Sequence, residues 1–270
     1  MHREDQAAIE RGMQLAARLP DIMPQQADDR IKPIYDEIQQ TLRVPIVNLI
    51  FRTLANYPDY LEAAWHELRP LVSTRAFEKS ADGLRARALL AASPEPSELA
   101  SAPDDLERLR SFNDSIHYVL PKLLLIATAL AKTHMEHDVE QPATDLTIDL
   151  SSIPNGIAAG TGKVELVDPS KTDERIHSVF DSIKRRHSHS LVSSYYRGLA
   201  NWPDFLEAAW ETIGTRVGSD EYEAAKWNLI DTAQLSVRRW PAVSVSIEPK
   251  ALMEIAAILA AFRIKLIPET

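Results

Sequence analysis

Three consecutive hydroxyls, Ser194-Tyr195-Tyr196, sit where helical periodicity points side chains toward a core. A buried hydroxyl costs free energy unless it finds a partner. These three must therefore line a polar cavity, meet a ligand or bond to backbone. A phenol ordinarily titrates near ~10, so at neutral pH Tyr195 donates a hydrogen bond and does not abstract a proton. His117 is the side chain whose ordinary pKa best suits proton transfer, and Tyr118 stands beside it. The expected site has His117 moving a proton while Tyr195, Ser194, Tyr196 and Tyr118 hold a small polar substrate. His187 and His189, two apart, share no helix face, so no metal pair is expected. Their segment, RHSHSL, reads as a polar helix entry with Ser188 or Ser190 as N-cap. His134 and His137, beside Glu136 and Asp138, read as a solvated helix end.

These residues are carried by a repeat. LANYPDYLEAAW begins at Leu54 and LANWPDFLEAAW at Leu199, an offset of 145, and two of the twelve positions differ, both aromatic for aromatic. The offset also pairs Arg30-Ile31 with Arg175-Ile176, Asp36 with Asp181, Ile38 with Ile183, Val47 with Val192 and Arg52 with Arg197. YVLPKLLLIATALAK from Tyr118 resembles IEPKALMEIAAILAA from Ile247 at an offset of 128, so the first copy holds 17 more residues, around the Pro- and Ser-rich Ser93–Asp105. Val47, Ile50, Phe51 and Leu54 make one helical face. Pro58 stops that helix and opens the next, with Asp59 at its positive end. The next helix carries a stripe of Leu61, Ala64, Trp65, Leu68 and Leu71, matched by Leu206, Ala209, Trp210, Ile213 and Val217. Each helix pair is too small to bury its own stripe, so the two copies should pack together as an intramolecular pseudo-dimer. The expected fold is all-α: an extension over 1–20, repeat 1 over 21–137, a linker over 138–173 and repeat 2 over 174–270.

Residues kept in both copies, such as Arg52/Arg197 and Asn56/Asn201, most simply serve the shared fold. Residues that part company are free to build a site, and Leu49-Ile50-Phe51 against Ser194-Tyr195-Tyr196 is the main divergence. The Gly160-Thr-Gly162-Lys163 tetrapeptide in the linker is not a phosphate loop. Ile157 stands where the first glycine belongs, and Val164 where the Ser/Thr belongs.

The 270 residues carry a formal net charge of −9, which argues against a binder of nucleic-acid phosphates. With no cysteine there is no disulfide, thiolate nucleophile or Cys-ligated zinc. That fits a cytoplasmic location. The N-terminus is charged and lacks the apolar run of a signal peptide. The apolar run Leu123–Ala131, closed by Lys122 and Lys132, is short for a membrane span and reads as a buried helix.

TLRVPIVNLIFRTLANYPDYL, SYYRGLANWPDFL and LPKLLLIATAL resemble the group I, D,L-specific 2-haloacid dehalogenases over most of the chain after about Asp21. The resemblance implies an all-helical pseudo-dimer with its site between the repeats, further dimerisation, no metal or organic cofactor, and an aspartate that activates water to displace halide. That aspartate stands four residues before the Leu of the Leu-Ala-Asn-Trp-Pro motif, where this chain has Tyr195; the first copy has Ile50 there. Ile46 follows the Val-Pro of the first repeat, where the family carries an aromatic. The family's polar Asn in the late helix of the first unit falls near His117, and Ser194 is retained. Ile46 and Asn48 are therefore added to the expected lining.

Three functions follow. The first is an enzyme with a repurposed site for a small polar or carboxylate substrate. The second is a non-catalytic binding or scaffold protein. The third is a 2-haloacid dehalogenase with a substitute base.

Overall fold

The computed structural model describes residues 6–91, 105–132, 149–238, 240, 241, 243 and 245–270. His134, His137 and nearly all of Ser93–Asp105 lie outside them. Every regular element among the described residues is a helix, apart from one isolated antiparallel bridge between Thr74 and Ser152. The first copy runs α2 (Ile31–Leu42), α3 (Leu49–Leu54), α4 (Pro58–Val72), α5 (Arg75–Ala91) and α6 (Leu106–Lys132), preceded by α1 (Gln6–Arg18). The second runs α7 (Glu174–His187), α8 (Ser194–Leu199), α9 (Pro203–Ile213), α10 (Asp220–Val237) and α11 (Pro249–Ala261), ending in a π-helical turn, Phe262–Leu266.

Local chemistry explains the short elements. α4 and α9 each open on a proline followed by an aspartate in the first turn. The turns before α3 and α8 depend on two non-glycine residues in the left-handed region, Arg43 (φ 66°) and Ser188 (φ 52°), at equivalent places. Ser188 therefore ends α7 as its C-cap, and Ser193 is the N-cap of α8. This corrects the expectation that Ser188 or Ser190 starts the helix.

The two larger hydrophobic cores do not divide at the repeat boundary. One joins α2–α5 and the second half of α6 to α10 and α11. The other joins α7–α9 to the first half of α6, through Leu109, Phe112 and Ile116. Each fully buried Leu, Ile or Phe in such a core contributes roughly 1.5–3 kcal/mol. Leu61, Ala64, Trp65 and Leu68 are all buried as their spacing predicts. In the second copy Leu206 and Trp210 are buried, but Ile213 is 52% exposed, because α9 stops there.

At 27 residues α6 is long and apolar enough to cross a membrane by length and composition, and longer than the run Leu123–Ala131 suggests. Its apolar residues are instead packed in both cores. Pro121 inside it removes the N–H that would bond the carbonyl of His117. Arg85 supplies donors there instead, Nε to the His117 carbonyl at 3.4 Å and Nη2 to the Tyr118 carbonyl at 2.9 Å.

Residues 149–173 form a strap, helical only at Pro169–Lys171. Its backbone N–H groups donate to Gln40, Arg43, Ser111 and Arg197 carbonyls in turn. Gly162, from the phosphate-loop look-alike, donates to the Ser111 carbonyl and to Ser115 Oγ. Those glycines serve the strap.

Candidate functional site

Equivalent bonds recur at the 145-residue offset. Arg30 pairs with Asp59 and Glu62, as Arg175 does with Asp204 and Glu207. Trp65 Nε1 donates to Glu37 (3.1 Å), and Trp210 Nε1 to Ser182 Oγ (3.0 Å). Asn56 donates to the Pro20 carbonyl, and Asn201 to that of Glu165. Arg52 and Arg197 converge on one carboxylate: Arg52 Nε lies 2.6 Å from Asp21 Oδ1, and Arg197 Nη1 lies 2.9 Å from Asp21 Oδ2. Burial pushes the Asp21 pKa up, but bonds and charge from Arg52 and Arg197 outweigh it and hold the pKa below the ordinary range.

Near this junction α3 and α8 present their N-termini to a cavity of about 40 Å³. Its wall includes Asn48, Ile50, Ser193, Ser194, Tyr195 and Thr270. Asn48 and Ser193 are equivalent N-caps, yet neither caps its helix with a side-chain bond. Asn48 Oδ1 and Ser193 Oγ are buried without a hydrogen-bond partner. Their residues are only 6% and 7% exposed, so water outside the protein does not satisfy them.

Each of the three divergent hydroxyls has a partner. Ser194 Oγ accepts from Arg52 Nη2 at 3.0 Å. Tyr195 donates to Asn113 Oδ1 at 2.9 Å, stacks on Phe112, and is pushed up to about 12 by burial. α8 can approach Phe112 this closely only because residue 198 is glycine; a Cβ there would overlap the Phe112 ring. Tyr196 shares a 3.2 Å hydrogen bond with His187 Nε2, away from the cavity.

The other expected site residues scatter. His117 is half-buried in the wall of a neighbouring cavity of about 230 Å³, and that cavity shares Leu120, Ile267 and Thr270 with the first. Burial and the nearby Arg85 charge lower the His117 pKa, with Asp114 opposing. Tyr118 donates to Glu78 and its ring covers the Lys122 ammonium at 3.9 Å, so its hydroxyl is spent outside the cavity. Ile46 packs between the two cores and is not in the cavity wall, whereas Asn48 is. Asn113, four residues before His117 on α6, had no signal in the repeat because its side chain is paired only across the fold.

A second polar centre, joining His187 and His189 to Glu269, has no signal in the sequence spacing. The left-handed Ser188 brings the His187 and His189 rings into a stack with centroids 5.0 Å apart, despite their i, i+2 spacing. Both face buried Glu269: His189 Nε2 lies 2.8 Å and His187 Nδ1 3.7 Å from Oε2. These three could reach one metal ion. The same carboxylate already holds Lys226 Nζ at 3.0 Å and Lys265 Nζ at 3.5 Å, so two ammonium groups meet its charge. Burial works to raise the Glu269 pKa, but His187, His189, Lys265 and Lys226 hold it far below the carboxylate range.

The family described as "Halocarboxylic acid dehydrogenase DehI" matches residues 45–196. A configuration-inverting 2-haloacid dehalogenase of Alcaligenes xylosoxydans xylosoxydans is 30% identical over 88% of this chain and 82% of its own length. Its counterpart from Pseudomonas sp. (strain 113) is 29% identical over 81% of this chain and 74% of its own. A solved D-2-haloacid dehalogenase mutant superposes with a TM-score of 0.77 at 18% identity, covering 91% of this chain and 90% of that one. An all-helical chain that matches these enzymes along most of its length, in sequence and in fold, belongs to the DehI family of 2-haloacid dehalogenases.

Proposed function

We propose that this chain is a duplicated pseudo-dimer whose site, between the two copies, binds a small polar molecule and has been turned away from carboxylate-driven haloacid hydrolysis. The observation that carries this is the pair of orphaned atoms, Asn48 Oδ1 and Ser193 Oγ, one from each copy, in residues of one cavity wall. A buried unsatisfied polar group costs about 1–3 kcal/mol, which a hydrogen-bonding occupant offsets. The relatives' names bring 2-haloacids into consideration. Displacing halide directly needs a base that activates water at neutral pH. Among the described residues the cavity wall holds no Asp or Glu side chain. Tyr195 stands at the position the family resemblance gives to the aspartate, and with a pKa near 12 it is a proton donor at neutral pH. It can orient or polarise a bound group.

A second reading keeps catalysis and rests on His117. Its lowered pKa leaves a neutral imidazole at pH 7, able to accept a proton, and three residues of its cavity are shared with the Tyr195 cavity. The test is halide release from both enantiomers of 2-chloropropionate. The wild type is expected to release none, and Tyr195→Asp is the single change expected to help most. Halide release by the wild type that falls about 10²–10⁴-fold in His117→Ala would replace the binding reading with the catalytic one.

A further inference from the structure

The cavity between the copies, about 40 Å³, has room for a head group and little more. A dry cavity of roughly 150 Å³ is what benzene, with about six non-hydrogen atoms, occupies. A ligand that reaches Asn48 and Ser193 therefore leaves most of its bulk elsewhere. The neighbouring cavity of about 230 Å³ borders the first, because Leu120, Ile267 and Thr270 belong to both walls. The rest of its wall is mainly aliphatic: Leu84 and Ala88 from α5, Leu124 from α6 and Leu229 from α10. Among the described residues its one titratable side chain is that of His117. Leu84, Leu124 and Ile267 are buried, whereas Ala88, His117, Leu229 and Thr270 are half-buried. The larger cavity thus has a rim that solvent reaches and a buried aliphatic floor, and Ile267 on that floor is also wall of the smaller one.

The two walls call for a molecule with two unlike ends. Asn48 Oδ1 and Ser193 Oγ are buried without partners, so the inner end must hydrogen-bond. The serine hydroxyl can donate, and the asparagine amide, turned over, presents its nitrogen. Two donors, one from each copy, suit the two oxygens of a carboxyl group. The outer end meets an aliphatic wall, where each methylene taken from water tightens binding about fourfold. We propose that the ligand is a carboxylic acid with an alkyl chain of roughly six to nine carbons. Its head lies between Asn48 and Ser193, and its chain runs past Leu120, Ile267 and Thr270 along Ala88 and Leu229, which set the chain length. The proposal rests on the reading of the smaller cavity as a ligand site and adds to it the size and polarity of the rest of the molecule.

Straight-chain acids from propionate to octanoate can be titrated into the full chain at pH 7 and constant ionic strength, with NMR shifts as the readout. The backbone amides of Asn48 and Ser193 report the head, and those of Ala88 and Leu229 the chain. Affinity should rise about threefold to fourfold per added methylene, so octanoate should bind at least about a hundredfold more tightly than propionate. All four amides should move along one binding curve. Ala88→Phe, which fills the aliphatic wall, should weaken octanoate at least about tenfold. Shifts at Asn48 and Ser193 with the same affinity at every chain length would overturn the inference while leaving the smaller cavity as a ligand site. If no acid in the series moves those two amides, the ligand-site reading itself fails, even where octanoate moves Ala88 and Leu229. Should Ala88→Phe not fold, the wild-type series still decides.

Discussion

Leu42, Val44 and Phe51 are buried and apolar; their equivalents 145 residues later are His187, His189 and Tyr196, equally buried and polar. Backbone geometry is alike at the two places, down to the left-handed residue between the first two. One architecture thus tolerates an oil-like filling in one copy and an ionic one in the other. The ionic filling is possible because Glu269 and Tyr222 arrive from later elements to satisfy the imidazoles, and Lys226 in turn donates to Glu269. Polarity in the second copy is bought by tertiary partners that the first copy does not need.

The largest expected effect comes from breaking the ionic centre. Glu269→Ala leaves Lys226 and two histidines facing each other in a buried space and should cost about 3–5 kcal/mol in urea unfolding at pH 7. Because the folded pKa of Glu269 lies below its unfolded value, its contribution is fully present above about pH 4.5 and is lost as pH falls toward the folded value. The penalty of Glu269→Ala should therefore shrink when unfolding is measured at progressively more acidic pH. If it grows instead, the cluster is not held by the ionised carboxylate.

Asp21 comes next, since it ties the two copies through one arginine from each. Asp21→Ala should cost about 2–3 kcal/mol, toward the lower end for a broken buried pair because its side chain is 29% exposed. Its folded pKa is also depressed, so this contribution too is present above about pH 4 and fades in acid. A double-mutant cycle with Arg52→Met and Arg197→Met should show coupling to both.

A smaller contrast separates the equivalent tryptophans. Trp65 donates to a charged acceptor that also binds Arg69, and Trp210 to a serine. Trp65→Phe should lose about 1 kcal/mol more than Trp210→Phe, as bonds to charged groups are worth more. The smallest effect belongs to the silent caps. Replacing an N-cap Ser by Ala ordinarily costs about 1 kcal/mol, but Ser193 Oγ makes no such bond. Ser193→Ala should be within ~0.5 kcal/mol of wild type, or more stable. A full capping penalty would mean that the hydroxyl is satisfied within the chain itself.

Much of the frame was legible in the sequence. Proline placement and the stripe from Leu61 to Leu68 fixed the helix pairs, and the repeat foretold that Arg52 and Arg197 would do equivalent work. Local patterns carry that kind of information. The partner of Tyr195 and the contacts of Glu269 depend on segments 82 and 80 residues apart, which no period records. His117 was singled out by residue type alone, and the fold put it one cavity away from Tyr195. The i, i+2 spacing of His187 and His189 hides their stacking, because the chain turns left-handed at Ser188 between them.

α6 gives its first half to one core and its second half to the other, while α10 and α11 complete the core begun by α2–α4. Neither copy is a self-sufficient folding unit. A fragment stopping before the strap would lack α10 and α11, which pack on α5, α6 and α1, and one starting after it would lack the Phe112 ring that packs against Gly198. Calorimetry of the intact chain should show a single cooperative melt, and the two fragments should regain it only when mixed.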